Sequence, residues 1–401
     1  MERADVIILG GGLVGLTLAV ALDRHGLSSL VIDPAEPEKT LAPAFDGRAT
    51  AVASASWRML EALGVADRLE GEGCPIRSIR VSDGLAPGGI VFDAGDDDPL
   101  GIMVENRRLR GALRDAAAAA EKVTLLMPAA AADIVRDAAG VRVALADGRL
   151  AAAPLLVGAE GRNSPTREAA NIPVARWRYH HNAIVATIEH ERHHENVAYE
   201  MFYPSGPFAI LPMLPGTRSA IVWSVPARDA AAVVDLPDRA MAAEIEKRMG
   251  GFLGAVRLAG PRWTYPLGFH HAATMTAERL ALAGDAAHGI HPIAGQGLNL
   301  GLRDAAALAQ VLVEGARLGL DLGDAQLLSR YERWRSLDTF MVAAATDGLT
   351  RLYGLPGRAA SAARRFGMGL VQRLGPLKDQ FMAEARGESG ELPLLLRGLG
   401  I

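Results

Sequence analysis

The sequence predicts an α/β fold in which a parallel-sheet domain is interrupted by a mixed β-sheet and closed by C-terminal helices. Three observations carry that prediction. A short apolar strand, a glycine-rich turn and an apolar helix open the chain. A second glycine-rich turn leads into a long helix near residue 300. Between them lie period-two strands with interspersed aromatic residues. The 401-residue length favours more than one domain, and a chain that is 50% apolar and 22% charged can bury a substantial core.

Composition also narrows the function. A net charge of -4, without a basic stripe carrying aromatic residues, argues against nucleic acid as a partner. The one cysteine, Cys74, rules out a disulfide framework, suits a reducing compartment and is expected to be inert. The uncharged run "VIILGGGLVGLTLAVAL" (residues 6–22) follows no basic n-region, precedes no A-x-A-like site and is short for a membrane span. A cytoplasmic protein is therefore expected.

The opening element, "ADVIILGGGLVGLTLAVALDRHG", reads as strand, turn and helix. Gly10, Gly12 and Gly15 fit the G-x-G-x-x-G spacing of a Rossmann-like dinucleotide site. Gly10 permits the tight turn, Gly12 leaves room for a pyrophosphate, and Gly15 lets the helix pack close to the strand. The helix start offers amide donors and a positive dipole end to the phosphates. The next strand, "SSLVID", ends at Asp33, where a carboxylate can accept from a ribose hydroxyl. With 44 glycines in the chain the bare spacing is weak evidence. The strand, the helix and the acid around it make it specific, although it does not separate NAD from FAD.

The second turn lies in "ALAGDAAHGIHPIAGQGLNLGLRDAAALAQVL", residues 281–312. A strand runs into Gly284 and Asp285, whose carboxylate suits a sugar or ribityl hydroxyl. Gly295, Gln296, Gly297, Leu298 and Asn299 then open a helix whose free amides favour an anion. Reduced flavin carries such a charge at its N1–C2=O end. The glycines at 295 and 297 let backbone approach a flat ring, and Pro292 fixes the loop.

This segment resembles the second FAD motif of flavoprotein aromatic hydroxylases of the p-hydroxybenzoate hydroxylase type, and most closely their ubiquinone-biosynthesis branch. The resemblance extends along most of the chain, through "FDGRATAVASASWRMLEALGV", "MVENRRLRGAL", "LLVGAEGRNSPTREAANI", "PSGPFAILPM", "SAIVWSVP" and "YERWRSLDTFMVAAATDGLTRLYG". It implies a Rossmann-like FAD-binding domain with an inserted mixed β-sheet substrate domain and C-terminal helices. It implies bound FAD, NAD(P)H as transient reductant, and O₂ that hydroxylates a prenylated phenol through a flavin C4a-hydroperoxide. Arg48 is implied near the flavin, Asn106 at an FAD contact, and Glu160 with Gly161 in the middle fingerprint. There the family usually has Asp-Gly, so glutamate sets the charge one methylene farther out, and Arg162 is a candidate to share its role. Arg167 closes the fingerprint. Arg48, Pro292 and His288 are the candidate catalytic residues; for His288 and His291 the alternative is hydrogen bonding to loop backbone or ribityl groups.

The FAD-binding domain is expected at 1–73, 100–178 and 270–340, the substrate domain at 75–98 and 179–268, and a helical region at 341–401. Phe202, Phe208, Leu211, Pro212 and Trp223 are candidates for the apolar wall of the substrate pocket, with plain sheet core as the alternative. "HERHH" (His190–His194) fits H-E-x-x-H formally, but strands on both sides place it in a loop, and no metal is expected. His180, His181, His270 and His271 read as surface or boundary residues. Residues 348–401 carry eight Arg/Lys against four Asp/Glu. Phe366, Leu370, Val371 and Leu374, flanked by Arg364, Arg365 and Arg373, suggest packing or self-association, or peripheral contact with an anionic membrane surface. Two rival readings are a same-fold flavin reductase, oxidase or halogenase, and a non-catalytic subunit of a quinone-synthesis assembly. The halogenase motif W-x-W-x-I-P is absent from the sequence.

Overall fold

The computed structural model describes residues 1–42, 47–95, 98–290, 295–354 and 357–401, without the side chains of 337, 343–347, 349–354, 358–360, 363 and 366. His291 and Pro292 lie outside the described residues. The chain opens with β1 (Val6–Leu9), α1 (Leu13–Arg24) and β2 (Ser29–Ile32). Next come β3 (Ala49–Ala53), the hairpin of β4 (Ser78–Ser82) and β5 (Ile90–Asp93), and β6 (Gly101–Glu105), which runs into α2 (Asn106–Ala119). After β7 (Val123–Leu126) and β8 (Leu155–Gly158) follow β9 (Val174–His190), β10 (Val197–Tyr203), β11 (Gly206–Met213) and β12 (Arg218–Pro226). Then come α3 (Asp238–Met249), β13 (Trp263–Ala272), β14 (Leu280–Leu282), α4 (Gln296–Arg317), α5 (Ala325–Gly354), α6 (Arg358–Arg373) and α7 (Gly375–Ala385).

Strands β14, β8, β1, β2 and β7 lie side by side and parallel, in that order, and Thr276–Ala277 adds an antiparallel edge. Every residue of β1 and β8 is buried, as continuous apolar runs in a sheet covered on both faces should be. Helices α1 and α4 cross closely over this sheet. A Cβ at Gly301 would stand 2.6 Å from Val14 Cγ2 and 3.3 Å from Gly284 Cα, so glycine permits the approach.

The second large sheet runs His288–Gly289, β13, β9, β12, β11, β10, β4, β5, with Val256–Leu258 also paired to β9. Its ladder begins at Val174 on β9 and continues to Ala272 on β13, beyond the divisions expected near 179 and 268. Its two faces differ. Phe208, Ile210, Ile221 and Trp223 pack under Met241, Ile245 and Met249 of α3. Ala198, Leu211, Ile79 and Val81 share the opposite cluster with Ala49 and Ala51 of β3 and Met103 of β6. That second face packs against β3 and β6 and against Met368 and Met382 of α6 and α7. Cys74 is buried, and burial pushes its thiol up to about 11. The native protein is therefore expected to resist an aromatic disulfide reagent at neutral pH and to react only once unfolded; prompt labelling of the native fold would contradict this.

Candidate active site

The first loop is shaped by what its glycines forbid. Gly10 has φ +110°, and a Cβ there would stand 2.3 Å from the Ala159 carbonyl oxygen. A Cβ on Gly15 would stand 2.0 Å from the Gly10 oxygen. At Gly12 nothing lies within 4 Å of the Cβ position. Two glycines thus close the turn and the third faces open space at the start of α1, which fits a diphosphate held on that helix end. Asp33 ends β2. Its Oδ2 accepts from the Gly11 amide at 2.7 Å and its Oδ1 from the Ala35 amide at 2.7 Å, so it also braces the loop.

The second loop meets the same region. Gly284 has φ +62° and Asp285 is exposed at the end of β14, so its carboxylate is open to a ligand hydroxyl. Gly295, at φ +65°, caps α4. The Gln296, Gly297 and Leu298 amides that follow have no acceptor inside the helix. Asn299 fastens this helix start to β3: its Oδ1 accepts from the Ala53 amide at 2.9 Å, and its Nδ2 donates to the Ala51 carbonyl at 2.9 Å. The Asn299 side chain is therefore used within the protein, leaving backbone for the cofactor.

Behind this loop lies a charged network that sequence reasoning passed over. Asp304 is fully buried. It accepts from the Gly284 amide at 2.9 Å, His288 Nε2 at 2.6 Å and Arg335 Nε at 2.7 Å. Burial opposes its charge, but His288 and Arg335 outweigh that and hold the carboxyl below its ordinary value. His288, a candidate proton carrier, is held by the buried Asp304 carboxylate through Nε2 and braces the loop. The available signal was a charged Asp304 and Arg335 on the apolar faces of two helices.

The middle fingerprint is likewise turned inward. Glu160 accepts from Ser164 Oγ at 2.5 Å and Thr166 Oγ1 at 2.8 Å. Burial raises its pKa against those bonds. Its carboxylate holds Ser164, the N-cap of the next short helix, and Thr166 within it. Gly161 has φ +81° with open space around it. Arg167 is buried and donates to the Ala286 carbonyl at 2.8 Å, tying this turn to the second loop. Arg162 is exposed.

Asn106 is buried at the start of α2 and accepts from Thr50 Oγ1 at 2.6 Å. Its amide donates to the Arg48 carbonyl at 3.0 Å. The Arg48 guanidinium lies 5.3 Å from the centre of the Tyr265 ring. It lines a cavity of about 150 Å³ together with Glu105, Arg107, Arg218 and Trp263.

A family model described as an FAD binding domain matches residues 3–343. The chain belongs to this flavoprotein family. The flavoprotein is 47% identical over 400 residues to the ubiquinone hydroxylase UbiL of Rhodospirillum rubrum, covering 99% of this chain and 93% of that protein. It is 35% identical to the 3-demethoxyubiquinol 3-hydroxylase of Escherichia coli, covering 96% and 99%. Among solved structures, the p-nitrophenol 4-monooxygenase PnpA of Pseudomonas putida superposes with a TM-score of 0.76 at 16% identity, covering 98% and 100%, a likeness of fold. The α/β class expected from the sequence is the class of this family.

The substrate-wall candidates divide by strand parity. Phe208 and Trp223 lie under α3, on the face away from the glycine loops, and are corrected to sheet core. Pro212 is buried and shares their strand parity. Phe202 and Leu211 fall on the opposite parity, and Leu211 packs in the cluster with β3 and β6. Phe208→Ala is therefore expected to cost about 3–5 kcal/mol of stability through an unfilled cavity, read as a lowered urea midpoint. A change confined to substrate KM would overturn that placement. His190 and His194 are buried at a strand end and the turn after it, not on one helix face. His190 bonds the Arg192 carbonyl and Ser219 Oγ, and His194 bonds the Met213 carbonyl. His270, read as a surface or boundary residue, is buried, with Nε2 2.7 Å from the Asp285 carbonyl and its pKa pushed down to about 4 by burial.

Proposed function

We propose that this flavoprotein is an FAD-dependent aromatic hydroxylase acting on a prenylated phenol of ubiquinone biosynthesis, with NAD(P)H as reductant and O₂ as co-substrate. The observation that carries it is the meeting of two glycine-rich helix starts. The open space at Gly12 and the free first turn of α4 lie at two loops joined through Gly284, Gly301 and Val14. That pair fits a diphosphate at one end and an anionic ring edge at the other. The substrate class rests on the curated relatives, which are hydroxylases of ubiquinone or its precursors.

When bound and reduced, FAD supplies the oxygen-activating chemistry. The protein's part is to hold and position. Asp33 and Asp285 are placed to accept from ribose and ribityl hydroxyls, and the amides of 296–298 to face the flavin pyrimidine edge. Arg48 lines the 150 Å³ cavity beside Arg107 and Arg218, which pair with Glu105, and this basic rim supports a phosphate-bearing reductant there. The face of the substrate sheet that carries Leu211 would keep water from the reacting ring.

The test is product analysis after adding FAD, NAD(P)H, O₂ and a panel of short-tailed prenylated phenols. One ring oxygen gained per reductant consumed is the expected result. Reductant consumption with every phenol returned intact would replace the reading with an oxidase or reductase. Among the described residues no helix is long and apolar enough to cross a membrane. Peripheral membrane contact is supported by Phe340, Met341, Leu370, Leu374 and Phe381, all exposed on the C-terminal helices. Arg364 does not join that face, because it is buried against Asp83 at 3.1 Å. Co-sedimentation with vesicles containing anionic lipid, weakened by salt, is the matching check.

A further inference from the structure

Glu200 is out of place in its strand. On β10, Tyr199, Met201 and Tyr203 pack toward α3. The alternate residues face the other way, and Ala198 joins Leu211, Val81 and Met103 in the cluster beside β3. Glu200 sits between Ala198 and Phe202 on that inward face, in register with Val81 on β4 and Ala209 on β11. Its lateral neighbours there are apolar. It has no hydrogen-bond or ion-pair partner among the described residues. Yet the residue keeps intermediate exposure, so packing does not close over it completely. Strand β3, across from this face, is the strand that Asn299 fastens to the flavin-facing helix start.

We propose that Glu200 is the polar anchor of the substrate recess, where its carboxyl hydrogen-bonds an oxygen substituent on the aromatic ring and sets which ring carbon faces the flavin. This rests on the hydroxylase reading above. A carboxyl drawn away from water without a partner costs stability, and a site built for a ligand group can bear that cost because the ligand supplies the missing bond. Burial pushes the carboxyl up to about 8, so at neutral pH it is mostly the protonated acid. In that form it can both donate to and accept from a phenol or quinone oxygen. An otherwise apolar pocket orients its ligand through a few such groups.

The experiment compares wild-type holoenzyme with Glu200→Leu and Glu200→Gln. It uses a phenol with one short prenyl tail as probe. Three quantities are read: kcat/KM, the flavin absorbance change on phenol binding, and the thermal midpoint. Glu200→Leu is expected to keep its FAD and an equal or higher midpoint while kcat/KM falls about 10- to 100-fold. Phenol binding should weaken, and more reductant should be consumed without product. Glu200→Gln, which keeps a donor and an acceptor, should recover most of the lost efficiency. Wild-type binding and coupling in Glu200→Leu would overturn the proposal. So would a loss of FAD or a lowered midpoint, which would make the residue structural. If wild type binds the phenol but never hydroxylates it, the hydroxylase reading fails. The binding comparison still decides the anchor.

Discussion

Asp304→Ala is expected to lower folding stability by about 3–5 kcal/mol, the usual loss when one partner of a buried ion pair is removed. The substitution strands the buried Arg335 and His288 and leaves the Gly284 amide without its acceptor. Because Gly284 belongs to the loop proposed to meet the cofactor, FAD should also be lost at protein concentrations where wild type stays yellow. Urea denaturation followed by tryptophan fluorescence, with flavin absorbance after desalting, measures both effects. A stability change below about 1 kcal/mol would show that the network contributes little net energy, as some surface pairs do. The same network has a pH signature. A carboxyl held below its unfolded value of about 4 stabilises the fold at neutral pH. That contribution is lost as pH falls through the folded value, so Asp304→Asn should flatten the acid limb of the stability profile.

Gly12→Val is expected to do the opposite: leave the fold intact and abolish cofactor binding. Gly12 has φ -80°, which valine adopts without strain, and no atom lies within 4 Å of the added Cβ. The apo protein should therefore melt within a few degrees of wild-type apo protein, since about 1 kcal/mol moves a chain of this size by only about 2–4 °C. The branched side chain would occupy the space assigned to the diphosphate, and FAD affinity should drop by at least about 100-fold, or about 2.7 kcal/mol. Gly10→Ala is the contrasting control. Its Cβ would collide with Ala159 backbone at positive φ, so there the fold itself should suffer. A Gly12→Val protein that purifies yellow with full occupancy would move the cofactor elsewhere.

The parts legible in the sequence were those set by local chemistry. A four-residue apolar strand, glycines at a fixed spacing and an apolar helix each reveal themselves within a few residues. The first loop and the start of α4 were found that way. The errors came from relations across distance. Period-two alternation groups Phe208 with Ile210 but does not say whether that face meets α3 or the cofactor. The hairpin between β10 and β11 reverses the parity, so Phe202 and Phe208 part company. Glu160 looked like a ligand contact because its acid matched a fingerprint, while Ser164 and Thr166 just downstream were poised to take it. His288 seemed available for proton transfer until Asp304, on the next helix, was placed against it. Counting arginines on α6 could not show that Arg364 is spoken for by Asp83, far back in the chain.

β13 ties its sheet to the loop that follows β14. It pairs with His288–Gly289, and its His270 bonds the carbonyl of Asp285. Along this line the two lobes are welded, and a clamshell motion would have to unzip main-chain bonds. At the opposite rim β5 leans on α6. The fastenings there are side chains that can swing aside: Gln372 accepting from the Val91 amide, and Arg364 and Ser361 gripping Asp83.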